Sequence, residues 1–135
     1  MCAIIGWSGK IPKGLLTSIL LRGAKRGLDS TGFAFRGMSE KGRPMNYGYR
    51  NSEPADVFIK NSELSLGDAR RSLRGIGHTR NASPGMPINQ ANAHPFLFNK
   101  TFFAHNGSIK NWRELRDTTA AWARERFAQE RYDLG

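Results

Sequence analysis

The sequence predicts an α+β domain, and three features favour this class: an apolar helical stripe near the start, a glycine-flanked strand at 75–80, and a hairpin pattern followed by a long helix. A length of 135 residues fits one domain with a modest core. The first helix is predicted over 12–23, because its apolar residues share one face and a glycine stands where it would end. Those apolar residues are Leu15, Leu16, Ile19 and Leu20.

Apolar runs separated by glycine and proline predict the other elements. The first run, Ala3-Ile4-Ile5, indicates a short buried strand that ends at Gly6. Asn111 is expected to cap the last helix, since Glu114 three residues on completes a capping box. In chain order, the remaining predictions are a loop at 26–32, strands at 33–36, 47–49 and 75–80, helices at 54–60 and 62–75, and a hairpin at 96–104.

Composition excludes several classes of protein. Apolar residues make up 39% and charged residues 24% of the chain, which is typical of a soluble globular domain. No run approaches the roughly 18 apolar residues of a membrane span, and the start of the chain lacks the pattern of a signal peptide. The single cysteine cannot form an internal disulfide, and a free thiol used in chemistry indicates a reducing, cytoplasmic setting.

The chain is strongly basic, with a formal net charge of +10 and a pI near 10.5. Its Lys and Arg residues are scattered in small clusters, and no nucleic-acid-binding motif surrounds them. We therefore interpret them as a solvated basic surface rather than as a nucleic-acid interface. An anionic protein or substrate would also be attracted by such a field.

Cys2 is one cleavage away from the N-terminus, and its small side chain is compatible with removal of Met1. Cleavage would leave a thiol and a free α-amine on one residue. A thiol with a pKa of about 8.5 needs a base at neutral pH, and an α-amine with a pKa of about 7.7–8.0 is well matched to take its proton. A cysteine at this position is by itself weak evidence, so other motifs must decide.

Five sequence blocks occur in a fixed order. They are Met-Cys-Ala-Ile-Ile-Gly at 1–6, Arg-Gly-Leu-Asp-Ser-Thr-Gly at 26–32, Gly-His-Thr-Arg-Asn-Ala-Ser at 77–83, Asn-Ala-His-Pro-Phe at 92–96 and His-Asn-Gly at 105–107. This set closely resembles the class II glutamine amidotransferase domain, an N-terminal-nucleophile hydrolase, over nearly the whole chain. The resemblance implies a four-layer αββα arrangement within the α+β class and a single glutaminase domain over 1–135.

The resemblance also implies roles for individual residues. Cys2, once N-terminal, looks like the nucleophile that attacks the side-chain amide of glutamine. Asn106 and Gly107 match the oxyanion hole, which offers a side-chain amide and a backbone N–H to the developing negative oxygen. Arg80 matches the arginine that binds the substrate α-carboxylate. The remaining matches are Arg26 and Gly27 in the loop beside the nucleophile's amine, Ser83 in the glutamine pocket, and Asp133 as the candidate for binding the substrate α-amine.

Each motif also has an interpretation without catalysis. Asn106-Gly107 alone is a common turn pair, and Arg80 alone would be an ordinary surface residue. The three histidines are spaced too irregularly for a metal site, so we interpret His78, His94 and His105 as hydrogen-bonding framework residues. No metal or other cofactor is expected.

The chain departs from the family pattern near its end. Asp133 is the only candidate for the α-amine site, and its neighbours match the pattern poorly. The predicted strands are too few for two complete sheets, so the fold is expected to be incomplete. Three explanations fit this expectation: a shortened variant of the domain, a domain completed by another polypeptide, or a truncated product. Relatives often carry other residues at three further positions, which are occupied here by Ala3, Asn81 and Pro84.

The function expected from the resemblance is hydrolysis of glutamine to glutamate and ammonia, with the ammonia passed to a synthase on another chain. One alternative is an amidohydrolase of the same fold that keeps Cys2 but acts on another γ-glutamyl substrate. The other is an inactive binding or regulatory module that works through its basic surface.

Overall fold

The computed structural model describes residues 1–82, 89–98 and 100–132, and for 123–132 it describes the backbone alone. Within these residues, four strands form an antiparallel sheet and two short strands form a hairpin, in agreement with the α+β class. The strands are β1 (Ala3–Ser8), β2 (Ser30–Met38), β3 (Pro44–Asn51), β4 (Ser72–Arg80), β5 (Phe96–Phe98) and β6 (Thr101–Phe103). The helices are α1 (Lys13–Ala24), α2 (Ala55–Asn61), α3 (Glu63–Asp68) and α4 (Trp112–Tyr132), with 3-10 turns at Ala69–Arg71 and Gln90–Asn92.

Strand β4 occupies an inner position of the larger sheet, whose order is β1-β4-β2-β3. Thr79 of β4 pairs with Ala3 on one side and with Thr31 on the other. In the described part of the chain β1 pairs with β4 alone, so it is an edge strand. The N-terminus is thereby tied to the strand that carries the 77–83 motif.

The sequence predicts a short, buried first strand, and the structure corrects both points. β1 passes through Gly6 and ends at Ser8, and its side chains alternate between partly buried and exposed. Ile4, for example, is 48% exposed. The alternation arises because successive side chains of a strand point to opposite faces, and within the described residues the helices that pack on this sheet cover one face.

Helices α1, α2 and α3 pack against one face of the sheet and form the core with it. Leu16 and Leu20 of α1 are fully buried, whereas Leu15 is 52% exposed and lies at the margin of the predicted apolar stripe. Phe33 of β2 meets Phe58 of α2 edge to face, with ring centroids 6.1 Å apart. Burial of each such side chain stabilises the fold by about 1.5–3 kcal/mol.

The opposite face of the sheet carries most of the motif residues. Side chains alternate along β4, so His78 and Arg80 point to this face while Thr79 packs beside Gly23 of α1. Residues 93–96 and the β5–β6 hairpin lie against the same face. The rings of His78 and His94 are 4.5 Å apart, and this contact joins the sheet to the segment that leads into β5.

The predicted helix at 62–75 is wrong beyond Asp68. α3 ends there, a 3-10 turn follows and β4 begins at Ser72. The Ser72 hydroxyl accepts a hydrogen bond from Trp7 Nε1 at 3.0 Å and donates one to the Gly9 carbonyl at 2.7 Å. These bonds and the pairing with β2 are tertiary contacts, and they outweigh the local helical pattern.

Helix α4 begins at Trp112, directly after Asn111, where the capping pattern predicts it. Trp112 and Leu115 are 45% and 47% exposed, so its first turns leave much apolar surface uncovered. Across residues 1–82, 89–98 and 100–132, no helix combines the length and the apolar character that crossing a bilayer requires.

Candidate active site

Cys2 and Asn106 contact each other although 104 positions separate them in the sequence. The Cys2 backbone N–H donates to Asn106 Oδ1 at 3.3 Å, and Asn106 Nδ2 donates to the Cys2 carbonyl at 3.1 Å. A side-chain amide can make this reciprocal pair because it carries a donor and an acceptor side by side. The thiol is partly exposed, and its sulfur lies 3.9 Å from the Asn81 carbonyl oxygen.

Arg80 lies beside Cys2 at the end of the sheet. The last pair of the β1–β4 register joins Ala3 to Thr79, so Cys2 and Arg80 are the next positions outward on the same face. Arg80 Nη1 is buried, and it has no hydrogen-bond partner among the described residues. A guanidinium with an unused buried donor is suited to bind a carboxylate, which would satisfy that donor.

The loop that follows α1 packs tightly against the end of β4. A Cβ built on Gly27 would lie 2.6 Å from the Arg80 carbonyl carbon and 2.7 Å from the Thr79 carbonyl oxygen, so a larger residue would collide with the backbone. The Asp29 N–H donates to the Arg80 carbonyl at 2.9 Å. Its carboxylate accepts from the Ala82 N–H at 2.5 Å, and Asp29 thus holds the backbone on both sides of Asn81.

Arg26 contacts the start of the chain. Its Nη2 is 3.6 Å from the Met1 sulfur, whereas the Cys2 N–H is bound by Asn106. The structure therefore brings Cys2, Asn106, Arg80, Arg26 and Gly27 to one end of the sheet. Gly107 follows Asn106 in an exposed segment before α4.

The prediction that the histidines form a hydrogen-bonding framework stays a prediction for His78, whose ring interacts with the backbone of His105. Its side chain is fully buried, yet neither ring nitrogen makes a hydrogen bond of standard geometry within the described residues. His94 Nδ1 is buried without such a partner as well. The two rings instead pack on each other, because β4 and the 93–96 segment approach closely at this point.

Both of these histidines are held neutral. Burial lowers the pKa of His94 to about 4, and electrostatic interactions with His78, Arg80, His105 and Arg50 act in the same direction. Burial also lowers the pKa of His78, although the nearby backbone of His105 partly opposes this effect. At pH 7 the positive charge next to Cys2 therefore comes from Arg80 rather than from these imidazoles.

Two predicted site residues, Ser83 and Asp133, lie outside the described residues, as does Pro84. The expected contacts to the glutamine pocket and to the α-amine therefore stay predictions. Among the residues that the structure does describe, no group of three or more His, Cys, Asp or Glu side chains is arranged to hold a metal ion.

Three residues that shape the site were not assigned a role from the sequence. Asp29 and Gly32 fall inside the 26–32 motif, which could have drawn attention to them. Arg50 lies in β3 without any motif around it, and its Nη1 donates to the Ala93 carbonyl at 2.8 Å. Only the tertiary contact reveals that Arg50 holds the segment carrying His94.

Comparison with known proteins finds clear relatives. No protein-family model matches the chain. The glutamine–fructose-6-phosphate aminotransferase (isomerizing) of Bradyrhizobium diazoefficiens is 37% identical over 119 residues, which cover 87% of the chain. The enzymes of the same name from Thermotoga maritima and Brucella suis are 39% identical over 122 residues and 35% identical over 129 residues, covering 87% and 93% of it.

The chain spans 18–19% of the length of these relatives, so what it shares with them is one region of a much longer protein. A match over 93% of the chain leaves too few residues at its ends to miss the four motif blocks between 26 and 107. On these grounds the chain belongs to the class II glutamine amidotransferase family.

Proposed function

We propose that this chain is a glutaminase domain that hydrolyses the side-chain amide of glutamine to glutamate and ammonia, with Cys2 as the nucleophile. The observation that carries the proposal is the reciprocal hydrogen-bonded pair between Cys2 and Asn106, with Arg80 on the adjacent strand. Nucleophile, oxyanion donor and carboxylate-binding cation are the three groups that the reaction needs close together.

Maturation is the first requirement, because the Cys2 nitrogen is an amide until Met1 is removed. Met1 is 78% exposed, which supports access of a peptidase to the bond. Removal would convert the amide nitrogen into an amine, and Asn106 Oδ1 already accepts a hydrogen bond from that atom. The acceptor would hold the amine next to its own thiol.

Acylation forms one bond and breaks another. The amine takes the thiol proton, and Cys2 Sγ attacks the side-chain carbonyl carbon of glutamine, whose oxygen becomes an oxyanion. Asn106 Nδ2 uses one hydrogen on the Cys2 carbonyl and has a second for the oxyanion, while the Gly107 N–H supplies another donor. When the C–N bond breaks, the proton held by the amine passes to the leaving nitrogen and gives ammonia.

Deacylation reverses the proton transfers. The neutral amine takes a proton from water, and the oxygen attacks the γ-glutamyl thioester through a second oxyanion at the same donors. The C–S bond then breaks, glutamate forms and the proton returns to the sulfur. No cofactor is required for either half of the reaction.

Substrate binding is assigned to Arg80 for the α-carboxylate, since its unused donor is buried beside Cys2. Arg26 and Gly27 shape the wall next to the terminus. Ser83 is proposed to line the glutamine pocket, and Asp133 remains the candidate for the α-amine.

We further propose that residues 1–135 belong to one glutaminase domain of the four-layer αββα type. The sheet covered by α1 to α3 on one face and by the β5–β6 hairpin on the other supports this arrangement. The ammonia would go to a synthase on a separate chain. A reducing cytoplasmic setting would keep Cys2 a free thiol.

The test is mass spectrometry of the purified protein before and after 6-diazo-5-oxo-norleucine, a glutamine-like electrophile, together with an ammonia assay. We expect loss of Met1, one adduct on Cys2 and ammonia release from glutamine. Cys2→Ala should form no adduct and release no ammonia. If that variant hydrolysed glutamine as fast as the parent, the proposal would be wrong.

A second candidate is an amidohydrolase of the same fold that acts on another γ-glutamyl compound. Arg80 suits any substrate with a free α-carboxylate, and another γ-glutamyl substrate would relax the need for the α-amine site proposed at Asp133. Turnover of glutamine compared with γ-glutamyl dipeptides separates the two candidates. An inactive module that binds through the basic surface predicts no adduct on Cys2 and salt-sensitive binding of nucleic acid.

A further inference from the structure

Four rings, called the stack below, contact one another in series through tilted and edge-to-face packing and connect β4 to β6. His78 of β4 packs on His94 with ring centroids 4.5 Å apart, and His94 packs on Phe96 at 4.4 Å. Phe96 in turn packs on Phe103 of β6 at 5.2 Å. The stack therefore begins two residues before Arg80 and ends three residues before Asn106.

Arg50 of β3 holds the middle of this stack in place. Its Nη1 donates to the Ala93 carbonyl at 2.8 Å and to the Pro95 carbonyl at 3.4 Å, one on each side of His94. The guanidinium carbon lies 4.9 Å from the centre of the Phe96 ring, a cation–π contact. One side chain thus fixes both the backbone and a ring of the 93–96 segment.

Gly32 of β2 makes room for this contact. A Cβ built there would lie 2.2 Å from the His94 carbonyl oxygen and 2.7 Å from the Arg50 Cβ. No side chain larger than hydrogen fits unless the 93–96 segment moves away from the sheet. Gly32 also pairs with His78 in the β2–β4 register, so it lies directly beside the first ring of the stack.

The hydrogen bonds of the stack are few. Both nitrogens of His78 and Nδ1 of His94 make no hydrogen bond of standard geometry within the described residues, and His78 has one weaker interaction, with the backbone of His105. Ring packing and the Arg50 hydrogen bonds are therefore the main contacts of the 93–96 segment with the sheet. Loss of the Arg50 contacts would free the 93–96 segment and the hairpin that follows it. Asn106 lies at the end of that hairpin, and a displacement on the order of 1 Å at a reacting group can cost about 100-fold in rate.

We propose that Arg50 is a positioning residue: by holding residues 93–96 against the sheet it keeps the His78–His94–Phe96–Phe103 stack closed, and thereby sets Asn106 relative to Cys2 and Arg80. The inference deepens the proposed glutaminase function and rests on it for its catalytic meaning. The positioning itself is a property of the fold and can be measured without turnover.

The test uses Arg50→Met, which keeps much of the side-chain length and removes every donor. Two measurements are made on the full chain: the rate of Cys2 labelling by 6-diazo-5-oxo-norleucine relative to iodoacetamide, and hydrogen exchange of the 96–106 backbone amides and of the Asn106 side-chain amide by NMR. We expect the labelling ratio to fall about tenfold or more. We expect exchange at 96–106 to accelerate about tenfold, while the amides of β2 and β4 keep their rates.

Three further variants make the result specific. Arg50→Lys keeps the positive charge and replaces the guanidinium donors by a single ammonium group. Its labelling ratio should therefore lie between those of Arg50→Met and the parent. Gly32→Ala should reproduce the Arg50→Met result through its collision with His94. Arg22→Met, at an exposed arginine of α1 on the other face of the sheet, should leave both measurements as in the parent.

The outcomes are distinct. Unchanged exchange at 96–106 in Arg50→Met would overturn the proposal, because Arg50 would not hold the segment. Faster exchange at 96–106 with an unchanged labelling ratio and an unchanged Asn106 side chain would also overturn it, since Asn106 would keep its position. If the parent does not react with the diazo compound, the glutaminase function fails, and hydrogen exchange at 96–106 and Asn106 still decides whether Arg50 positions that residue.

Discussion

The side chain of Asn106 binds the backbone of Cys2 in both directions, accepting from its N–H at 3.3 Å and donating to its carbonyl at 3.1 Å. One amide therefore holds the residue before β1 against the segment after β6. The same amide has a second N–H hydrogen that is free to meet a developing oxyanion. Under the proposed function, one side chain would both position the nucleophile and stabilise the transition state.

Asn106→Asp should separate these two roles. The carboxylate still accepts from the Cys2 nitrogen, but it donates nothing and places a negative charge where the oxyanion forms. We expect kcat for glutamine to fall by about 100-fold or more with little change in KM. Asn111→Asp is the matched control, because Asp caps a helix as well as Asn does. Equal kcat values for Asn106→Asp and the parent would remove Asn106 from the oxyanion hole.

Arg80→Lys should weaken glutamine binding. Lysine keeps the charge but loses the planar pair of donors, so the α-carboxylate is held by a single point contact. We expect KM for glutamine to rise by about tenfold or more, with a smaller change in kcat. Arg74→Lys, at another arginine of β4, serves as the control. An unchanged KM would mean that Arg80 does not contact the substrate.

Gly27→Ala should destabilise the fold at the end of β4. Its Cβ would lie 2.6 Å from the Arg80 backbone, so the loop or the strand must shift, at a cost of about 1–3 kcal/mol in the free energy of unfolding. Gly14→Ala is the matched control, because nothing lies within 4 Å of a Cβ there. In helix α1 that change should stabilise by about 0.5–1 kcal/mol. Urea denaturation of both variants checks the opposite signs.

Stability should fall as the pH drops from about 6.5 to 4 through His94. Its pKa is lowered to about 4 in the folded chain, so in this window the unfolded chain binds a proton that the folded chain does not. Above pH 6.5 both states are neutral and the effect vanishes. The loss amounts to roughly 1–3 kcal/mol in the free energy of unfolding.

Denaturation curves at several pH values test this assignment. His94→Leu removes the titrating group, so its free energy of unfolding should depend less on pH between 4 and 6.5 than that of the parent. His105→Leu, which removes an exposed histidine, should retain the dependence. The same slope in His94→Leu and the parent would assign the effect to other groups.

Local sequence patterns correctly predicted those helices and strands whose conformation depends mainly on their own side chains. The leucine face of α1 and the glycine-flanked strand β4 follow from periodicity and breakers, and the structure confirms both within a few residues. The helix predicted through Leu73 failed because Ser72 is fixed by Trp7 and Gly9, which lie 65 and 63 positions away in the sequence. No window of local sequence contains that information.

In the candidate site, too, some features could be predicted from the sequence and others could not. The resemblance to a known family led us to expect Cys2, Arg80 and Asn106 at one place, and the register of β1 and β4 brings the first two together. The packing around these residues was not predictable from the sequence. Gly27 and Gly32 are required because a Cβ at either position would collide with backbone atoms of residues far along the chain. Arg50 has no motif, and its role depends on a segment 43 positions away.

The separation of 104 positions between Cys2 and Asn106 also orders events during synthesis of the chain. The N-terminus leaves the ribosome first, and Asn106 cannot reach it until β6 has followed. Met1 is thus open to processing while its later surroundings do not yet exist. A ribosome that stalled before Asn106 would present a finished thiol without the residue that aligns it.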